Sequence, residues 1–237
     1  MGLNGYRTRL RTAVVVAACL MLAASQAHAG TVVVADTLGP GDSYSGGSWS
    51  VRGPDSGSVN QNIAASFTPT SDATLDSVDL ALVLNAGTSS VLVRLLADSA
   101  GLPDEASVLE SWTLSIGASS VYSVSSVVGP TLTQGTKYWV GVFPGASDTW
   151  AGWHLNDQGF TGFAVKSTGA WSSVPSESTP AFRVTATEVS VVPLPSSALI
   201  GVCLLGALFV IGRLRSEREH QAGPGWTAPR GSVVDDI

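Results

Sequence analysis

Cysteine is almost missing: 237 residues hold two, Cys19 and Cys203, and both lie in hydrophobic segments near the chain ends. Between Gly30 and Ser190 there is none. That excludes a disulfide framework, a thiolate metal site and a cysteine nucleophile from this region. Histidine is nearly as scarce there, with His154 alone, so a zinc centre lacks nitrogen ligands. Basic charge is short too. The same region has five cations (Arg52, Arg94, Lys137, Lys166, Arg183) against fourteen acids, a net −9. A nucleic-acid partner needs a basic face for phosphates, so nucleic acid is excluded. Helical periodicity is absent as well, and the long apolar runs are confined to the two ends.

At the N-terminal end, Arg7, Arg9 and Arg11 precede a 12-residue apolar block, Ala13 to Ala24, and then Ala27-His28-Ala29. A basic start, a block too short to span a bilayer and a small-x-small site read as a secretory signal peptide over residues 1–29. Cleavage is expected after Ala29, leaving Gly30 first. The C-terminal end carries Val191 to Gly212, 22 residues without a charge, followed by Arg213, Arg215 and Arg218. A ~30 Å hydrocarbon core needs roughly 20 helical residues. The strictly apolar part, Ala198 to Gly212, has 15. Residues 191–215 therefore read as one hydrophobic sorting or transmembrane helix, with the arginines on the cytoplasmic side. Residues 216–237 form a polar extension.

Residues 30–190 read as one domain of short strands. Gly, Ser and Thr are abundant, and Val is the dominant large apolar residue. Val78, Leu80, Leu82 and Leu84 alternate with polar neighbours, as do Val91, Val93 and Leu95 after an Asn85-Ala86-Gly87 turn. Tyr138, Val140 and Val142 alternate against Trp139 and Phe143. Asp98 to Glu105 is expected to be a Gly-Pro turn, and Ser167 to Trp171 a turn with an aromatic plug. About ten short strands with no helical period predict an all-β fold, an antiparallel, jelly-roll-like β-sandwich.

Two family resemblances rest on these residues. Val192-Pro193-Leu194-Pro195, the apolar segment behind it, and Arg213 with Arg215 resemble the PEP-CTERM family of exosortase sorting signals in its Val-Pro-Leu-Pro variant. Leu194 stands where the family usually has Glu, and residues 216–237 follow the arginines. The region from Ala35 to Thr187 resembles the choice-of-anchor R domain. The matching residues include Ile63 to Pro69, Leu75-Asp76-Ser77-Val78, Gly101-Leu102-Pro103, Leu132 to Trp139, Asp148 to Trp153 and Ala181 to Val184. The resemblances imply an exported bacterial module, an exosortase-like processing enzyme as partner, and an extracellular polysaccharide or envelope setting. Before processing, the tail would hold the protein at the membrane. They bring no catalytic residues.

Chemistry-bearing candidates are few. Serines surround His154, but no Gly-x-Ser-x-Gly elbow occurs, so no enzyme is expected. No cofactor is expected either. Calcium is the one cation left open, at Asp98, Asp104 and Glu105, because calcium takes carboxylate and backbone oxygens from turns. Trp150 and Trp153 are three apart on an expected strand and face opposite sides. One of them, beside Asp148 and Asn156, is the candidate platform for a sugar ring. The alternative is that Trp112, Trp139, Trp150, Trp153 and Trp171 fill the space between two sheets. Arg183 is expected to pair with a carboxylate.

Overall fold

The structure, a computed structural model, describes residues 30–189. The expected signal segment, sorting helix and polar extension lie outside these residues, as do Val192, Pro193, Leu194, Pro195, Arg213 and Arg215. Among the described residues there is no helix, and thirteen strands run in order: β1 (Thr31–Asp36), β2 (Ser48–Arg52), β3 (Asn62–Phe67), β4 (Ala73–Ala86), β5 (Val91–Ser99), β6 (Leu102–Leu114), β7 (Ser120–Ser125), β8 (Thr131–Leu132), β9 (Tyr138–Pro144), β10 (Trp150–His154), β11 (Thr161–Lys166), β12 (Ser172–Ser178) and β13 (Phe182–Glu188). They form two antiparallel sheets packed as a β-sandwich. One runs β1-β13-β4-β10-β2, with β7 and β8 also on β4; the other runs β12-β11-β3-β9-β5-β6.

The period-two alternation builds the core directly. Val78, Leu80 and Leu82 of β4 face Val91, Val93 and Leu95 of β5 and Val140 and Val142 of β9 across one buried cluster, with Trp153 and Phe182 among its largest members. Burying side chains of this size contributes about 1.5–3 kcal/mol each. Strand β4 is the spine. Its first half pairs with β13, from Ala73↔Glu188 to Leu80↔Phe182, and its far end pairs with β10, as far as Ala86↔Trp150.

Three expectations are corrected. The turn expected over Asp98 to Glu105 is present but narrower: β5 and β6 continue through most of the stretch and meet at a tight turn in which Ala100 (φ 54) and Gly101 (φ 84) take left-handed conformations. Such a two-residue turn matches the natural twist of a hairpin. The tryptophans are not all between the sheets. Trp139 alternates with Val140, so it lies on the outer face of its sheet, where it joins Trp171, Phe143, Leu96, Ala64 and Ala164 in a second buried cluster. Finally, β8 and β12 are strands that the pattern did not announce. Strand β12, with Pro175 and five exposed residues of seven, is a polar sheet edge, where a proline removes no needed ladder bond.

Candidate functional site

The loops at the far end of β4 gather into one corner. Residues 53–56 and 144–149 are bonded to each other: Gly53 N donates to Thr149 O (2.9 Å) and Asp55 N to Ser147 O (2.7 Å). Thr149, fully buried, fixes the second loop further, since its Oγ1 donates to the carbonyl of Thr88 or Ser90 (3.0 and 3.1 Å). Glycines permit the close approach. A Cβ on Gly53 would overlap Ser147 O, and one on Gly87 (φ 78) would overlap Asp148 O.

Beside these loops, on the outer face of the β9–β5 pair, a cleft of about 370 Å³ opens to solvent. Its walls include Pro54, Asn60, Asn62, Arg94, Phe143 and Ser147. The Arg94 guanidinium lies 4.8 Å from the centroid of the Phe143 ring. A stacked guanidinium is held flat and keeps its N–H edges free for a planar acceptor. Next to the cleft, Arg52 lies over Trp150 at 4.2 Å, and Arg52 exchanges backbone hydrogen bonds with Gln61, between Asn60 and Asn62.

The corner concentrates unmet polar demand. Among the described residues, the buried side-chain atoms without a hydrogen-bond partner are Arg52 Nε, Asn60 Oδ1 and Trp150 Nε1. Buried polar groups are normally partnered, so three exceptions on neighbouring residues call for an explanation. The charge pattern points to the same place. Of the five described cations, Arg183 and Lys166 form ion pairs; Arg52, Arg94 and Lys137 lie over Trp150, Phe143 and Trp139 instead.

The residues proposed for sugar stacking divide differently from the expectation. Trp153 is fully buried and donates Nε1–H to Ala181 O at 2.9 Å. Trp150 faces the other way, as the alternation required, but Arg52 covers it. Asn156 is buried, and its amide donates to Phe160 O and Thr179 O (2.8 and 2.7 Å) while Oδ1 accepts from Gln158 N and Phe160 N. It ties a loop together. Asp148 is exposed on the rim loop of the corner. The four residues therefore do not form one platform.

The three carboxylates considered for calcium do not converge. Asp98 accepts from Gly101 N (2.9 Å) and Trp139 Nε1 (2.8 Å), and Glu105 accepts from Lys166 Nζ and Trp171 Nε1 (both 2.8 Å). Asp104 accepts from Ser107 Oγ and Ala106 N, donors that hold its pKa below the ordinary aspartate value. Asp98 and Asp104 stand on opposite arms of the β5–β6 hairpin. Among the described residues no three histidine, cysteine or acidic side chains gather as a metal-binding group.

One further constellation resembles chemistry. Ser119 Oγ lies 2.8 Å from His154 Nε2, and His154 Nδ1 lies 3.3 Å from Gly47 O. The Tyr44 ring covers the imidazole at 4.7 Å, and its hydroxyl is 3.2 Å from the same serine oxygen. Tyr44 and Gly47 belong to the loop before β2, Ser119 to the loop before β7 and His154 to β10, so the cluster latches two loops to one strand, and the histidine is buried. Arg183 pairs with carboxylates as expected, at 2.9 Å to Asp36 and 2.7 Å to Asp42, with Asp79 at 3.7 Å. The hydrogen bonds it donates to Asp36 and Asp42 raise its pKa further.

No protein-family model matches this chain, and no curated protein is similar to it.

The sequence does not mark Arg94, Phe143, Asn60 or Arg52 as site residues. The usable signal was the charge ratio: with acids nearly three to one over bases, an arginine that stacks on an aromatic ring instead of a carboxylate is unusual.

Proposed function

We propose that the chain is a secreted, surface-sorted, non-catalytic β-sandwich protein of the bacterial envelope or extracellular polysaccharide matrix. The observation that carries this reading is where the folded unit begins and ends. Thr31 pairs with Thr187, and Glu188 N donates to Gly30 O at 3.0 Å, so both ends leave from one point. That point adjoins the expected cleavage site at Ala27, Ala29 and Gly30 on one side and the tail at 191–215 on the other.

In this reading a signal helix precedes a jelly-roll-like sandwich of the choice-of-anchor type, and one C-terminal hydrophobic helix follows it. An exosortase-like enzyme cuts near Val192-Pro193-Leu194-Pro195, with Arg213 and Arg215 held on the cytoplasmic side. Mass spectrometry of the cell-surface form tests it. The expected C-terminus lies at or just after residues 192–195, and the protein is found with the envelope or exopolysaccharide fraction. A surface form that keeps Ile237, or free soluble export unaffected by deletion of residues 191–237, overturns the reading.

A second reading, polysaccharide binding, is favoured by the corner cleft and its amide and hydroxyl lining. It rests on that cleft and not on the Trp150–Trp153 pair.

A further inference from the structure

We infer that the cleft between Arg94, Phe143, Pro54, Asn60 and Ser147 binds a sugar residue carrying a carboxylate, a uronic acid within an otherwise sparsely charged glycan. The inference rests on the polysaccharide-binding reading and narrows it to one ligand chemistry.

Three properties of the cleft lead to this ligand. The first is charge. In a domain with fourteen acids and five bases, Arg94 has no carboxylate partner among the described residues, and neither does Arg52 beside it. A guanidinium with free N–H edges recognises a carboxylate in a bidentate fork. The rim acids, Asp55 and Asp148, pair with neither arginine. The second is shape and surface. Pro54, Leu92, Phe143 and Pro144 supply apolar walls against which the C–H face of a pyranose packs, and about 370 Å³ is enough for one sugar ring and part of its neighbour. The third is the neutral polar lining: Asn60, Asn62 and Ser147 offer amide and hydroxyl groups, which pair with hydroxyls, each both donor and acceptor, better than with a purely anionic ligand.

The surrounding charge sets the second half of the inference. A net −9 repels a densely anionic chain at low ionic strength. The site therefore suits isolated carboxylates and disfavours a polysulfated polymer. The rim is pre-formed, because the 53–56 and 144–149 loops are already bonded to each other, so little ordering cost is added on binding.

Calorimetric titration of the full chain, in a neutral non-glycosidic detergent, with an aldotriouronic acid (one glucuronic acid on a neutral xylobiose) tests this. Its methyl ester and sodium acetate are the parallel arms. The expected result is binding of the acid, affinity at least roughly tenfold lower for the ester, and none for acetate. Arg94→Gln should lower affinity for the acid by a similar factor and leave the ester unchanged, with the circular-dichroism spectrum intact. Equal affinity for acid and ester overturns the carboxylate assignment while leaving polysaccharide binding in place. No binding of either sugar overturns both. Acetate binding as tight as the trisaccharide shows a simple anion site and overturns the sugar assignment. The ester comparison needs no variant, so a misfolded Arg94→Gln protein leaves the test decisive.

Discussion

Removing the charge of Glu110 should loosen the seam between the two sheets. Glu110 sits on β6, the edge of the six-stranded sheet, and is only 6% exposed. Its Oε1 accepts from Val127 N (2.6 Å) and Val128 N (3.1 Å), and its Oε2 accepts from Ser126 Oγ (2.5 Å). Those donors follow β7 of the other sheet, so one carboxylate clamps the two layers. Hydrogen bonds to a charged group are worth about 1.5–3 kcal/mol, against about 0.5–1.5 for neutral ones. Glu110→Gln keeps the shape and the Oε1 acceptor but removes the charge from three bonds, so it should cost about 2 kcal/mol. Glu110→Ala leaves all three donors without their acceptor. Because Val127 and Val128 are exposed, water reaches their amides, which holds the cost near 3 kcal/mol instead of a full desolvation penalty. Urea unfolding followed by tryptophan fluorescence measures both. Burial raises the Glu110 pKa, but the three donors lower it more, leaving it below the ordinary glutamate value. The contribution of the ionised group is thus fully present above the unfolded-state pKa and lost as pH falls through the lower folded one. Protonated Glu110 resembles glutamine, so the wild-type and Gln curves should converge on acidification. A Gln variant within about 0.5 kcal/mol of wild type at neutral pH, or a gap that stays constant into acid, would refute the clamp.

Two further variants test the rest. Gly53→Ala places a methyl 2.6 Å from Ala146 O and into Ser147 O, both backbone atoms of the bonded partner loop, so it should cost about 1–3 kcal/mol and lower the melting temperature; a variant that melts with the wild type would show that the corner loops yield freely. Ser119→Ala removes one latch bond and should cost about 1 kcal/mol without changing aryl-acetate hydrolysis; a Ser119-dependent turnover would make the Ser119–His154 pair catalytic.

The fold was legible wherever burial is one-sided. Val78, Leu80 and Leu82, or Val91, Val93 and Leu95, announce their strands because one face meets the core and the other does not. Legibility fails where that asymmetry is lost. Strand β9 is buried on nearly its whole length, since Trp139 and Phe143 enter a second cluster behind the sheet, so the aromatics seemed to belong between the layers. Strand β12 is polar because it is an edge. The Asp98–Glu105 turn reads too wide in the sequence because Gly-Leu-Pro extends the turn signal, while the chain reversal occupies only Ala100 and Gly101. The cleft was harder still. Arg94 is 49 residues from Phe143 in sequence, and Asn60 and Ser147 meet only because β3, β5 and β9 are adjacent, which a local pattern does not encode. What the sequence did carry was the deficit of positive charge that makes a carboxylate-free arginine informative.

The length of β4 connects the two functional proposals. Its first residue, Ala73, pairs with Glu188, the last residue of β13, and its last, Ala86, pairs with Trp150 at the corner that bears the cleft. Fourteen residues of strand, at ~3.3 Å each, separate these points by roughly 40 Å. The arrangement predicts independence. Among the described residues, none at the paired ends of β1 and β13 lines the cleft, so deletion of residues 191–237 should leave uronic-acid affinity unchanged while abolishing surface retention. Loss of both together would mean that residues 191–237 contribute to the site and would refute this independence.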